Sequence, residues 1–146
     1  MQNGEATYSA WYEWFPDYMR TFSTLDVGPG DQIKAMVEAR STTSGTATLE
    51  NLTTGKKAKH TWKDASDLGA LCQANAEWIV EDFSVNGGLI PFADFGKVRF
   101  DNASYTAAGE SKGLRKATVV DIAQNDQTLA KCRIEGGSAV ECTFEG

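Results

Sequence analysis

Histidine is almost missing from this chain: among 146 residues His60 is the only one, and it sits in a pattern that reads as a hairpin strand. A Ser-His-Asp triad would have to use it, yet no GxSxG elbow is present to carry the nucleophile. HExxH, CxxC, Walker-type and GxGxxG patterns are absent as well, so the sequence points to no metal, no cofactor and no phosphate site. The Asp-Thr/Ser-Gly triplet of a two-aspartate site is also missing. Basic residues are scarce, 14 Lys and Arg against 20 Asp and Glu for a net charge of -6, which argues against a nucleic-acid or anionic-membrane partner. No run of about 18 apolar residues exists to span a membrane. The opening MQNGEATYSAWYEW lacks the basic region and apolar stretch of a secretion signal, so none is expected here.

Helical periodicity is rare too, and what fills the chain instead is alternation. Residues 7–15 place Thr7, Ser9, Trp11, Glu13 and Phe15 on one side and Tyr8, Ala10, Tyr12 and Trp14 on the other. Residues 31–40 turn Ile33, Ala35, Val37 and Ala39 one way and their polar neighbours the other, the pattern of a half-buried strand. Residues 45–52 and 57–62 flank Thr53-Thr54-Gly55-Lys56 as a hairpin. A loop over 64–74, with one helical turn, delivers Cys72 to a strand over 75–83, the centre of the expected arrangement. Extended segments follow at 89–95, 97–100, 115–124, 128–134 and 139–144, with a turn at Asn86-Gly87-Gly88. Short strands with Gly, Asn and Asp turns predict an all-β fold, an antiparallel two-sheet β-sandwich of concanavalin-like or jelly-roll-like type. The length suits a single domain over 1–146 that buries a core without staples.

Cys132 and Cys142 flank the turn Glu135-Gly136-Gly137-Ser138, a spacing that sets them on facing hairpin strands where a disulfide is expected. Cys72 is left over, either as a free thiol or with a mate outside this chain. Asn51-Leu52-Thr53 and Asn102-Ala103-Ser104 are N-glycosylation sequons, and with the cysteines they lean towards a secretory history.

Carboxylates beside aromatics are the remaining chemistry. In NAEWIVEDF at 75–83, alternation puts Glu77, Ile79, Glu81 and Phe83 on one face and Ala76, Trp78, Val80 and Asp82 on the other. That acidic face reads either as a solvated exterior or as the wall of a cleft in which a carboxylate handles protons. Trp11, Glu13 and Phe15 form a second such face. Both cannot be core, because burying unpaired carboxylates costs several kcal/mol.

AWYEWFPD at 10–17, SGTATLENLTTGK at 44–56, LCQANAEWIVEDF at 71–83 and PFADFG at 91–96 together closely resemble the glutamic peptidases, or eqolisins, of filamentous fungi. The resemblance runs in order along nearly the whole chain. It implies a secreted, acid-active endopeptidase, a sandwich of two large antiparallel sheets with a catalytic Glu and Gln on a concave surface. Matched residue by residue, the catalytic glutamate falls on Glu81, while Glu77 matches a position that is not the catalyst. Trp11, Phe15 and Phe83 match aromatic positions of the substrate cleft, Glu13 an acid near the site, and Cys72 a cysteine whose partner lies earlier in the family sequence.

The catalytic glutamine of the family belongs to an Ile-Leu-Gln-Thr-Gly-like strand ahead of Trp-Tyr-Glu-Trp, and no such segment occurs here. Gln2, in Gln-Asn-Gly, does not match it. The expectation is a peptidase-like domain over 1–146 that is incomplete at its N-terminus. It would act on peptide or protein substrates, be impaired alone, and associate with a missing N-terminal segment or with itself at an open sheet edge. Two other readings use the same residues: a carbohydrate-binding sandwich, stacking sugars on Trp11 and Phe15, and a non-catalytic fragment.

Overall fold

The computed structural model describes residues 7–82, 84–85 and 88–146. Its described residues form β-strands and one short 3-10 turn, and every strand pairing is antiparallel. Two compact units divide the chain, Met1–Asn75 and Ala76–Gly146.

The first unit is built on the meander β3 (Ile33–Ala39), β4 (Gly45–Asn51) and β5 (Lys56–Trp62). Its β4–β5 turn closes because Asn51 Oδ1 accepts the Thr53 and Thr54 N–H groups at 3.0 and 3.1 Å, while Gly55 takes the left-handed φ of 72° that a side chain would resist. The ribbon β1 (Trp11–Tyr12) and β2 (Arg20–Thr21) packs on that sheet. Ala10, Phe22, Leu25, Ala47 and Ala58 are its buried core, with Tyr12, Val27, Leu49 and Trp62 against them. The expected helical turn is the 3-10 segment η1 (Ser66–Leu68).

Strand β3 forms as the alternation predicts, but its inward set does not become core. The register pairs Ala35 with Leu49 and Val37 with Ala47, so these side chains do share the core side of the sheet. All of β3 is nevertheless exposed, Val37 at 85%, because the packed cluster covers β4 and β5 and stops short of β3. Likewise only Trp11 and Tyr12 of residues 7–15 are assigned to a strand, with Ala10 O still accepting the Phe22 N–H at 2.8 Å; Glu13 to Phe15 keep their facing outside the ladder.

In the second unit, β6 (Ser84–Val85) pairs with β7 (Gly88–Leu89), and the four-stranded sheet runs β11 (Ile122–Gln124), β12 (Gln127–Glu135), β13 (Ala139–Phe144), β8 (Lys97–Phe100). Cys132 and Cys142 are directly opposed in the β12–β13 register, Cα atoms 4.1 Å apart, and disulfide-bonded. Phe144 meets Phe92 and Phe95 with ring centroids 5.8 and 6.0 Å away. The other face is ionic: Glu141, only 7% exposed, receives Lys97 at 3.2 Å and also pairs with Arg133, while Arg99 bonds Glu135 at 2.5 Å. Leu114, 1% exposed, anchors the preceding loop through its N–H to Gly137 O at 2.7 Å. The adjoining Gly113 tolerates no side chain, since a Cβ there would lie 2.6 Å from that same carbonyl.

Three expectations change in this unit. Residues 75–82 form no strand: Trp78, Val80 and Asp82 are half-buried and Glu77, Ile79 and Glu81 exposed, so the alternation is real, but no described neighbour ladders with it. Phe83 and the Asn86-Gly87 part of the expected turn lie outside the described residues. Residues 90–96 are irregular because Pro91 has no N–H to donate and Asp94 Oδ1 turns the chain by accepting Gly96 N–H at 2.8 Å. Of 115–124 only β11 is strand, whereas β9 (Tyr105–Ala107) and β10 (Glu110–Lys112), not expected, form a hairpin over Ala108-Gly109, both at positive φ.

Candidate active site

In the first unit the aromatic stretch divides by facing. Tyr12 stacks on His60 at 4.2 Å and 12°, and buried Trp14 donates its indole N–H to Gly69 O at 3.0 Å. Those anchors turn Trp11, Glu13 and Phe15 outward, Phe15 to 82% exposure. Tyr18 and Met19 extend the same loop and are also exposed. Their places after Pro16-Asp17 gave no periodic signal by which to find them. The turn itself is fixed by Asp17, whose carboxyl the Tyr18 N–H and the Arg20 guanidinium hold below the usual carboxylate range. Burial, aided by Arg20, lowers the pKa of His60 and favours its neutral form. Its ring stacks on Tyr12 and meets Trp62 edge-on, which makes it a packing residue.

In the second unit Glu81 stands on the exposed side of 76–82 and joins none of the ion pairs among the described residues. The following residue holds the segment down: Asp82 Oδ2 accepts the side-chain amide of Gln124 on β11. Both border a recess of about 360 Å³ whose apolar wall includes Ile90, Pro91, Phe92, Leu129 and Phe144. Gln124 escaped sequence reasoning because its partner is 42 residues away and no motif links the two. Phe83 is outside the described residues, so of the expected site Trp11, Glu13 and Phe15 share a face in one unit and Glu81 belongs to the other.

Among the described residues no group of three or more His, Cys, Asp or Glu is placed to hold a metal ion, and no helix is long and apolar enough to cross a membrane. Cys72 is exposed and unbridged among those residues. Asn51 is fully buried at 0% exposure and Asn102 exposed.

Comparison with known proteins converges on one group. The Peptidase A4 family profile matches residues 1–144. Aspergillopepsin-2 of Aspergillus niger is 48% identical over 137 residues, covering 94% of this chain and 48% of that protein. Scytalidopepsin B of Scytalidium lignicola is 42% identical over 148 residues, covering 97% of this chain and 56% of that one. The chain thus spans about half the length of the curated relatives it matches. The crystal structure of aspergilloglutamic peptidase from Aspergillus niger superposes with a TM-score of 0.92 at 46% identity, over 99% of this chain and 84% of the other. The sandwich class expected from the strand pattern is the class shared with that structure.

Proposed function

The chain belongs to the Peptidase A4 family, and from that premise we propose that it contributes the glutamate half of an acid-acting glutamic endopeptidase. The observation that carries the reading is Glu81: it lies in the stretch that resembles the family's catalytic strand, and it is solvent-facing while its neighbour Asp82 is tied down. As a carboxylate Glu81 takes a proton from water while the water oxygen bonds to the scissile carbonyl carbon. The tetrahedral adduct then collapses, the C–N bond breaks, and the same proton goes to the leaving nitrogen. Carboxylates as a class ionise near pH 4, so a base of this type works in acid where a histidine would be protonated. By the family resemblance Trp11, Glu13, Phe15 and Phe83 correspond to substrate-contacting positions, apolar rings suited to an extended peptide and one acidic group.

The family's glutamine, which stabilises the oxyanion, has no match in this sequence; loss of one such donor commonly costs about 10²–10³ in rate. The exposed strand β3, with Val37 on the core side of its sheet, is where a chain segment carrying such a glutamine, or a second copy, would add. Residues 1–146 then act as one domain with it. Secretion fits the Cys132–Cys142 bridge, since disulfides persist in oxidising compartments.

The test is a peptide-cleavage assay at about pH 2–5, the range in which carboxylates titrate. The chain is assayed alone and mixed with the portion of aspergillopepsin-2 that it does not match. Cleavage should be feeble alone, rise on mixing, and vanish with Glu81→Gln. Cleavage indifferent to Glu81→Gln overturns the assignment.

A further inference from the structure

We propose that Asn102 is the N-glycan acceptor of this chain and that Asn51, in the other sequon, stays bare in the folded protein. The proposal rests on the secretory reading above for its natural setting. Transfer from a lipid-linked pyrophosphoryl oligosaccharide breaks the sugar C1–O bond, forms a C1–Nδ2 bond, and releases one Nδ2 proton with the lipid pyrophosphate. The acceptor amide therefore loses a hydrogen and gains a bulky polar group that must reach water.

Asn51 can satisfy neither condition. Its side chain is wholly buried, and both amide hydrogens are committed, one to Asp26 O at 3.2 Å and one to Asp31 Oδ2 at 2.7 Å. Its Oδ1 meanwhile accepts the N–H groups of Thr53 and Thr54. Asp31 Oδ2 also accepts Gly28 N–H at 2.9 Å, so one amide ties the loop over 26–31 to the β4–β5 turn. A sugar on Nδ2 would remove one of these bonds and occupy volume already filled, leaving buried polar groups unpaired. A chain modified there before folding cannot close this turn.

Asn102 is the opposite case. It lies in the bend between β8 and β9, exposed, at a left-handed φ of 54° that Asn tolerates well. The bend is pinned from beneath, where buried Ala103 donates its N–H to Ser138 O at 2.7 Å, and Ser104, the third sequon residue, is exposed. A glycan here displaces no packed atom.

The route is imposed in the test, so its result bears on the sites and not on where the chain naturally resides. The full chain is translated behind a heterologous signal peptide into microsomes, and glycans are removed enzymatically in heavy-oxygen water so that each formerly modified Asn becomes a mass-tagged Asp. Asn102 should be tagged in the total pool, with the gel shift abolished by Asn102→Gln, and Asn51 should be untagged in the soluble monomer. A tag on Asn51 in soluble monomer, or an untagged Asn102 in the total pool, overturns the proposal. Occupancy of Asn102 is read before any selection for folding, so misfolding cannot hide it. On unglycosylated protein made in bacteria, Asn51→Gln should lower the urea midpoint by more than Asn102→Gln, which loses only the ease with which Asn takes a left-handed φ; an Asn51→Gln variant as stable as the parent also overturns it.

Discussion

Strand β13 and the segment 76–82 lie in the same unit and both read as extended in the sequence, yet β13 is laddered by β12 on one side and β8 on the other while 76–82 has no ladder among the described residues. What β13 has in addition is a local partner. The Gly136-Gly137 turn, both residues at positive φ, returns the chain at once and fixes the register, which the Cys132–Cys142 bridge then locks. Among the described residues, segment 76–82 has one side-chain hydrogen bond, from Gln124 to Asp82. Alternation reports which way side chains face; a strand further needs a neighbour whose amides it can reach. Removing the lock from the first region is the strongest way to make the two alike. Replacing Cys132 and Cys142 with Ser should destabilise the second unit by about 2–3 kcal/mol, the chain-entropy value for so short a loop, read from urea unfolding.

The same contrast sets how much was legible beforehand. Hairpins closed by nearby turns, β4–β5 and β12–β13, follow from the Thr-Thr-Gly and Gly-Gly signals between alternating runs. So do the outward facing of Trp11, Glu13 and Phe15 and the inward facing of Tyr12 and Trp14. Three features were not legible. The irregularity of 75–82 and the exposure of β3 both depend on what packs beside them, which no local pattern encodes. The tie of Gln124 to Asp82 depends on the fold bringing distant residues together. Family resemblance placed Glu81 within a stretch, but its neighbour's anchor emerged only from coordinates.

Cutting that anchor sharpens the comparison from the other end. Gln124→Ala should lower global stability in urea by no more than about 0.5–1.5 kcal/mol, the net contribution of one hydrogen bond, and by less where water takes over Asp82. Amide hydrogen exchange within 76–82 should nonetheless quicken, with β13 unaffected. Equal protection of 76–82 in parent and variant would mean the segment is held by something other than this amide.

A smaller effect tests the ionic face of the laddered region. Hydrogen bonds from Arg99 first and Arg133 second hold the Glu135 carboxyl down at about 2, against an ordinary value of 4.5. A carboxyl depressed on folding stabilises in full above its unfolded value, and that contribution is lost as pH falls through the folded one. Parent and Glu135→Gln should therefore differ most above about pH 4.5 and converge towards pH 2, with salt shrinking the gap because the group is partly open to solvent. A gap that widened on acidification would reverse the assignment of charge.

The smallest expected change concerns β3, laddered on one side only among the described residues and exposed on its core-side face. In the chain by itself, Val37→Thr should move the urea midpoint by less than about 0.5 kcal/mol, since a valine 85% exposed has no burial to lose. If the segment that supplies the glutamine, or a second copy, covers this strand, the same substitution introduces a hydroxyl into an apolar contact. The cost should then appear as weaker association in a titration of the two components, and not in the stability of either alone. A Val37→Thr chain that unfolds readily by itself would show that β3 is already packed in solution, and the uncovered face could not then be the place where a partner adds.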